Sequence, residues 1–312
     1  MTEDLPPEDP PACIDWALVA TIKAPQDQVL AFLAHHLDLG AAAITLCFDD
    51  PDDPAIAAVQ DIPRVSVLRC TPEYWARVGN GIRPDRHQNR QARNALRAWR
   101  LCPLPWIGHI DVDEFLLPDR PMGEILASAP AHHPMVRLEP FEAMHDPSLP
   151  DDIFTARLFR GPLKGPRAFL RDIIFGRYAP AMPNGMLSHS VGKAFFRTGV
   201  PGFTPRLHGG SMNGVRMDGP PMDRRVKLLH FHAQDRAKWT AALPFRLARG
   251  AYQKNEALLQ ALSGATPDQI DAFYTATQML TPEMAEILWQ EGRLVEVNLD
   301  LRRKVADLLA QS

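Results

Sequence analysis

The chain has 312 residues, of which 46% are hydrophobic and 23% are charged, and its formal net charge is −3. This composition is typical of a soluble globular protein, and the slight acidic excess argues against a broad surface for nucleic acid. No uninterrupted apolar run approaches the ~20 residues that cross a bilayer. The acidic, proline-rich start is unlike a signal peptide, and the four cysteines form no C-x-x-C pair. We therefore expect a protein with reduced thiols, in the cytoplasm or at the membrane periphery.

The first hundred residues alternate between strand-like and helix-like patterns. Strands are predicted at 16–23, 44–48 and 65–69, where apolar and β-branched residues cluster. Helices are predicted at 26–39, where apolar residues recur every three or four positions, and in the basic segment 86–100. This alternation predicts an α/β fold with a mainly parallel sheet and helices on its faces.

A short apolar run, residues 106–110, leads into two aspartates that are two positions apart. Because side chains alternate along a strand, Asp111 and Asp113 are expected to project to the same side. Ligands bind at the carboxyl ends of strands in such sheets, and two carboxylates there repel unless a cation lies between them. Hard oxygen ligands favour Mg²⁺ or Mn²⁺, so we interpret the pair as a site for a metal-bound phosphorylated substrate. A solvated turn is the alternative interpretation.

The basic helix before this pair offers polar groups that suit a diphosphate. It contains Arg90, Gln91 and Asn94, and the first and last of these share a face because they are one turn apart. The alternative is an ordinary solvated helix surface.

Two histidines, His230 and His232, lie at the end of a predicted strand at 226–231. One imidazole fits as a further ligand of the ion bound by the aspartates, and the choice between them stays open. A separate zinc site lacks a third ligand nearby in the sequence, and two ordinary surface histidines are the alternative.

The second half of the chain is less regular. Residues 160–225 look loop-rich, which is typical of a segment that covers a substrate, and Lys193 in this segment lacks the full phosphate-loop pattern around it. Helices are predicted from 251 to the end, with a capping box at Thr266. The apolar spacing over 294–308 predicts one long amphipathic helix.

Together these segments resemble the GT-A glycosyltransferases of the family-2-like group, which also includes family 92. The resemblance covers roughly residues 16–250, and its most specific part is the D-x-D-E-F block at 111–115. The other matching segments support it only in combination, and they are 19–23, 36–40, 49–53, 90–94, 192–197 and 229–231.

The resemblance implies a GT-A-like, Rossmann-type domain and a metal-dependent transferase acting on a nucleotide-sugar donor. The donor diphosphate would be held by Mn²⁺ or Mg²⁺ on Asp111 and Asp113, with His230 as third ligand. Transfer would invert the anomeric carbon with the help of a carboxylate base, and three candidates for that base stay open: Glu139, Glu142 and Asp146. The further side chains expected at the donor are Lys23, Asp50, Asp53, Arg90, Gln91, Asn94 and Lys193.

The expected organisation is a flexible lead at 1–14, the GT-A-like domain at 15–250 and a helical extension at 251–312. The acceptor stays open between a glycan, a lipid-linked sugar and a small molecule, as does a homodimer through the last helices. Two rival functions are a D-x-D phosphohydrolase, in which the first aspartate is the nucleophile, and an inactive protein that only binds nucleotide sugars.

Overall fold

The computed structural model describes residues 12–78, 81–149 and 152–311, so most of the predicted lead at 1–14 lies outside the described residues. The strands are β1 (Trp16–Ile22), β2 (Ala43–Phe48), β3 (Val65–Arg69), β4 (Trp106–His109), β5 (Glu114–Pro118), β6 (Met135–Ala143), β7 (Leu158–Arg160), β8 (Lys193–Arg197), β9 (Phe203–Arg206), β10 (Gly209–Met212), β11 (Val215–Met217), β12 (Met222–His230) and β13 (Leu294–Glu296).

The helices are α1 (Gln26–Asp38), α2 (Ala55–Val59), α3 (Pro72–Val78), α4 (His87–Leu101), α5 (Met122–Ala127), α6 (Leu170–Phe175), α7 (Arg236–Ala248), α8 (Glu256–Leu262), α9 (Pro267–Gln278), α10 (Pro282–Gln290) and α11 (Leu301–Ala310). Short 3₁₀ helices lie at Gly165–Arg167, Gly176–Ala181, Pro183–Gly185 and Ala251–Lys254. In the ranges described, no helix combines the length and apolar character needed to cross a membrane.

A ten-stranded sheet lies at the centre of the described structure. Its first half, in the order β3-β2-β1-β4, is parallel, as the alternation of strands and helices predicts. The second half is mixed: β8 runs antiparallel to β4 and β6, while β12 runs parallel to β6 and antiparallel to β5. The α/β fold class, with a parallel sheet region, flanking helices and C-terminal helices, is confirmed and is consistent with a GT-A-like arrangement.

The parallel half is buried on both faces, because β1 is apolar at six of its seven positions and all seven are buried. Leu18 and Ala20 belong to the cluster that includes α1, whereas Ala17 and Val19 belong to the cluster on the other face, which includes residues of α3 and α4. Full burial of a side chain such as Leu18 contributes about 1.5–3 kcal/mol. A strand that is apolar on both faces therefore selects the sandwiched, parallel arrangement.

Two buried histidines of α1 fasten that helix to β5, the strand that directly follows the aspartate pair. His35 Nε2 lies 2.7 Å from the carbonyl oxygen of Leu116, and the Leu116 amide donates to His36 Nε2 at 3.3 Å. Lys304 of α11 approaches His35 Nδ1 at 3.4 Å. Each ring thus has a defined neutral tautomer, and the outer edge of β5 is capped by side chains instead of a further strand.

A second apolar cluster lies beside the sheet and joins segments on both sides of residue 250. It contains Leu163 and Phe175 from before that position, and Phe273 and Leu288 from after it. Helix α11 packs instead on α1, within the main core. The domain boundary at 250 stays a prediction, and apolar contacts cross it.

The prediction of one long helix over 294–308 is wrong. Residues 294–296 form β13, which pairs antiparallel with β7, and the helix begins only at Leu301, after Asp300 at a φ of +53°. A three-to-four apolar spacing fits both arrangements, and the open edge of β7 decides between them. The capping box at Thr266 is confirmed.

We expect acid to destabilise the fold through the histidine pair. Burial, reinforced by the Lys304 charge, lowers the pKa of His35 to about 4, and burial also holds the pKa of His36 well below its usual value. Both are near 6.5 in an unfolded chain, so between about pH 6.5 and 4 the unfolded chain binds protons that the folded chain excludes. The free energy of unfolding therefore falls as the pH falls through that window.

The substitution His35→Gln keeps a donor for Leu116 but does not titrate. Urea unfolding at pH 7 and pH 4.5 measures how much unfolding free energy each protein loses between these two values. The loss should be smaller in His35→Gln than in the wild type, by on the order of 2 kcal/mol. The control His132→Gln changes an exposed histidine and should leave the pH dependence as it is. Parallel curves for the wild type and His35→Gln would contradict this account.

Candidate functional site

A cavity of about 550 Å³ lies at the carboxyl ends of β1 and β4. Its floor is formed by the residues that follow those two strands, and its walls come from α4, β8, the end of β12 and the start of α7. The side chains that line it and bear on its chemistry are Lys23, His87, Gln91, Asp111, Asp113, Ser188, His189, Lys193, His208, His230, His232, Asp235, Lys238, Trp239 and Arg246.

Asp111 is held by donors on both carboxylate oxygens. Lys193 Nζ lies 2.8 Å from Oδ2, and Gln91 Nε2 donates to Oδ1. Burial by itself would raise the pKa of Asp111, but the Lys193 ammonium overcomes it and holds that pKa well below its usual range. Gln91 and Lys193, both predicted at the donor, are thus brought to the aspartate pair by the fold.

Lys193 reaches Asp111 from the first position of β8, a strand of the central sheet. The preceding Gly192 has a φ of +70°, and a Cβ there would overlap the carbonyl oxygen of Leu138. Only glycine fits this turn without strain, because the left-handed conformation and the close backbone both exclude a side chain. The expectation that residues 160–225 form a loop-rich cover is therefore wrong for β8, which inserts between β4 and β6.

Asp113 faces His230 across the cavity floor. Asp113 Oδ2 lies 3.6 Å from His230 Nε2, and the Asp113 side chain is 33% exposed. Burial would lower the pKa of His230, but the Asp113 carboxylate overcomes it and raises that pKa to about 9. The amide of Phe231 donates to the Asp113 carbonyl at 2.9 Å, which fixes the end of β12 beside the aspartate.

The two histidines of the H-x-H segment point to different partners. His232 Nε2 accepts from the Tyr252 hydroxyl at 2.8 Å and lies 3.2 Å from Arg246. Burial, reinforced by the Arg246 charge, lowers the pKa of His232 well below its usual value. Of the two, His230 is the one whose Nε2 faces a carboxylate of the aspartate pair.

The expected three-residue metal site is not assembled as such. Among the described residues, no group of three or more His, Cys, Asp or Glu side chains is arranged to hold an ion. Asp111 is occupied by Lys193 and Gln91, whereas Asp113 and His230 face each other across a gap that an ion can bridge. Since Mg²⁺ is often bound by one or two protein groups plus phosphates and water, the facing pair fits an ion, whereas metal binding by Asp111 stays a prediction.

A second cavity of about 620 Å³ adjoins the first, and Lys23 lines both. Asp50 and Asp53, from the turn after β2, line it, and so does Trp75 of α3. That the acidic turn approaches a nucleotide stays a prediction.

Arg90 and Asn94 support the cavity walls from behind. Arg90 makes a two-pronged ion pair with Asp49, at 2.7 and 2.9 Å, and lies outside the lining of both cavities. Asn94 is buried, donates to the Thr21 hydroxyl at 3.0 Å and accepts from Tyr74 at 2.7 Å. Their expected contact with the donor stays a prediction, and their observed contacts are within the protein.

The three candidate bases do not line either of these two cavities. Glu139 pairs with Arg293 at 2.9 Å, and Asp146 accepts from Ser148 in a turn. Glu142 is 1% exposed, lies 3.1 Å from the fully buried Arg160, and accepts from the amides of Leu187 and Ser188. This last carboxylate thus holds the loop that carries His189 into the cavity.

The sequence-based reasoning missed several cavity residues, of which Asp235 is chemically the most significant. Asp235 caps α7 by accepting from the Lys238 amide at 2.9 Å, and it adds a third aspartate to the cavity lining. An aspartate just before a helical pattern is explained by helix capping alone, so the sequence gives no reason to expect it also in the cavity. His189 and His208, whose ring centroids are 4.4 Å apart, had no sequence signal.

A comparison with protein-family models gives no match, and neither does one with curated proteins. Solved structures that resemble the chain weakly include the following three. HddC from Yersinia pseudotuberculosis has a TM-score of 0.27 at 9% identity and covers 47% of this chain and 68% of its own. A mycobacterial protein has a TM-score of 0.30 at 14% identity, with coverages of 59% and 53%. TarS residues 1–349 from S. aureus have a TM-score of 0.33 at 10% identity, with coverages of 96% and 92%. Structural similarity this weak does not indicate an activity for this protein.

The buried pair of Glu142 and Arg160 gives a stability prediction. Glu142→Ala leaves the Arg160 guanidinium buried without its carboxylate, so the free energy of unfolding should fall by about 3–5 kcal/mol. The matched control Glu139→Ala breaks a more accessible pair with Arg293 and should cost about 1 kcal/mol or less. Chemical unfolding of both variants measures this, and equal losses would contradict a structural role for Glu142.

Proposed function

We propose that this protein is a glycosyltransferase that moves a sugar from a nucleotide-sugar donor to a glycan, a lipid-linked sugar or a small molecule. One observation carries the proposal: two adjoining cavities at the ligand edge of the sheet share Lys23. A donor of this class has a nucleoside and a sugar joined by a charged diphosphate, and a two-part site with a cation between the parts matches that chemistry.

In this proposal the nucleoside occupies the second cavity. Asp50 and Asp53 line it, and carboxylates accept hydrogen bonds from ribose hydroxyls or base amino groups. The diphosphate then lies at Lys23, and the sugar extends into the first cavity. Lys193 adds positive charge there, which offsets the carboxylates and favours an anionic ligand.

Asp113 and His230, the latter after loss of its proton, would hold a divalent ion, Mn²⁺ or Mg²⁺, together with oxygens of the donor. When bound, it supplies Lewis-acid stabilisation of the leaving diphosphate. Asp111 supports this site indirectly, because its pairing with Lys193 and Gln91 fixes the segment that carries Asp113.

We propose Asp235 as the base in place of Glu139, Glu142 and Asp146. It is the cavity aspartate that neither pairs with Lys193 nor faces His230. In the proposed step its carboxylate takes the proton of the acceptor hydroxyl, and the acceptor oxygen bonds to the anomeric carbon. The bond from that carbon to the diphosphate oxygen breaks on the opposite face, which inverts the configuration.

The contacts of Asp111 disfavour the rival phosphohydrolase. In such an enzyme the first aspartate attacks a phosphorus atom, and the hydrogen bonds that both oxygens of Asp111 accept from Lys193 and Gln91 lower its nucleophilicity. An inactive protein that only binds nucleotide sugars differs from the proposed enzyme in turnover alone, so activity measurements separate the two.

Donor binding gives the first functional prediction. A panel of nucleotide sugars with Mn²⁺ should include one that stabilises the protein by about 2.7 kcal/mol at about 100 times its Kd, seen as a rise in Tm. Asp113→Ala should abolish the metal-dependent part of this shift. The control Asp119→Ala removes an exposed carboxylate at the end of β5 and should leave the shift intact. Tight binding that needs no metal and survives Asp113→Ala would contradict the proposed ion site.

Turnover gives the second functional prediction. Asp235→Asn keeps the helix cap, since asparagine caps as well as aspartate, but it removes the base. With an acceptor identified by screening, kcat for nucleotide release should fall by roughly 10²–10⁴ while donor affinity stays the same. The control Asp268→Asn changes an exposed aspartate in the first turn of α9 and should retain full activity. An unchanged kcat in Asp235→Asn would assign the base elsewhere.

A further inference from the structure

Helix α7 and its capping residue form one wall of the first cavity. Asp235, Trp239 and Arg246 line the cavity and follow one another at intervals of four and seven residues, which places them on one side of the helix. Lys238 lines the cavity as well. Because a helix rises ~1.5 Å per residue, Asp235 and Arg246 are about 16 Å apart along the axis. The wall therefore begins at the proposed base and ends at a guanidinium.

The contacts of Arg246 are all with neutral groups. Its Nη1 lies 3.2 Å from His232 Nε2 and donates to the Tyr252 hydroxyl oxygen at 3.3 Å. Both terminal nitrogens donate to the carbonyl oxygen of His232 at 3.3 Å. Within the ranges that the structure describes, no carboxylate forms an ion pair with this guanidinium. A cation that lines a cavity without a carboxylate partner attracts an anionic ligand.

The other cationic side chains of the first cavity already have partners or a proposed role. Lys193 and Lys238 each form an ion pair with an aspartate of the cavity lining. Lys23 lies where the two cavities adjoin, which is the proposed position of the donor diphosphate. Arg246 lines the first cavity and not the second, so it lies away from the proposed nucleoside site. Its charge is therefore available for a ligand other than the nucleoside.

We propose that Arg246 binds a negatively charged group of the acceptor, which is the carboxylate of a uronic acid or a phosphate ester. The term acceptor rests on the proposed transferase function, whereas the anion site itself does not. The planar fork of an arginine matches both anions because it donates two parallel hydrogen bonds. Side chains on a helix tilt towards its N-terminus, so the guanidinium extends back along α7 towards Asp235. An acceptor that lies along this wall has a hydroxyl at Asp235 and its anionic group at Arg246.

Arg246 also has a structural contact, which the test has to separate from anion binding. The Tyr252 hydroxyl donates to His232 Nε2 at 2.8 Å. Its oxygen accepts from Trp239 Nε1 at 2.9 Å and from Arg246 at 3.3 Å. Tyr252→Phe removes this hydroxyl and keeps the guanidinium charge. If Arg246 only supports this network, Tyr252→Phe and Arg246→Gln should change ligand binding alike.

Calorimetric titration of the full chain with matched sugars tests the anion site without a donor. The probes are the methyl glycosides of glucose, galactose and mannose, the corresponding methyl uronides and the corresponding 6-phosphates. At least one acidic probe should bind with a Kd about tenfold or more below that of its neutral parent, because a charge-assisted hydrogen bond forms. The uronides and the 6-phosphates distinguish the two anions.

Variants of Arg246 should change this preference for acidic sugars. Arg246→Gln should remove it, and Arg246→Lys should keep part of it, because lysine retains the charge and loses the fork. Tyr252→Phe should keep it. The matched control Arg249→Gln changes an exposed arginine at the end of the same helix, outside the cavity lining, and should bind every probe like the wild type.

The rise in Tm with a nucleotide sugar and Mn²⁺ separates this site from the proposed function. Arg246→Gln should keep the full rise, because the donor is proposed to bind elsewhere. If no donor raises the Tm of the wild type while acidic sugars bind through Arg246, the transferase function fails and the anion site stands.

Four outcomes would overturn the anion site. In the first, none of the acidic sugars binds to the wild type, and in the second, they bind no better than their neutral parents. In the third, Tyr252→Phe removes the preference as completely as Arg246→Gln does, which makes the role of Arg246 structural. In the fourth, Arg246→Gln loses the donor-induced rise in Tm, which assigns this arginine to the donor.

Discussion

The ion pair between Asp111 and Lys193 is the contact on which the site depends. Lys193 is 2% exposed at the start of β8, and a buried ammonium is tolerated only if a carboxylate compensates its lost hydration. Asp111 supplies that carboxylate from the end of β4, the neighbouring strand. The pair therefore joins the parallel and mixed halves of the sheet at one point. Asp113, two residues further on, is left to face the cavity and His230.

Buried ion pairs also sort the acidic residues into two kinds. Asp49 with Arg90 and Glu142 with Arg160 build the walls, because each carboxylate is surrounded by donors from its own protein. Asp113 is more open, and the cation paired with Asp235 is the exposed Lys238. Chemistry with a substrate requires a carboxylate of the second kind, which can exchange its partner for a ligand. This difference disfavours Glu142, one of the three candidate bases, and favours Asp235.

Much of the parallel half was predictable, because local pattern and tertiary role agree there. The strand at 16–23 is apolar at 16–20 and 22, and the helix at 26–39 repeats its apolar positions every three or four residues, so each has one favourable placement. At 294–308 the local pattern does not determine the structure. The same apolar spacing fits one long helix or a short strand followed by a shorter helix, and the free edge of β7 favours the second. Nor does the local pattern determine β8, a short strand within a glycine-rich segment whose pairing partners, β4 and β6, are distant in sequence.

The sequence by itself determined the α/β class, the position of the aspartate pair at the end of a strand and the proximity of a late histidine to it. These follow from side-chain periodicity and from the rule that parallel sheets bind ligands at one edge. Only the tertiary structure decided which carboxylates are free. That property depends on cations such as Lys193 and Arg160, which lie 82 and 18 residues from their partners, and no local pattern encodes it. Asp111 and Asp113 are thus equivalent in sequence, and the fold makes the first a structural anchor and the second a candidate ligand.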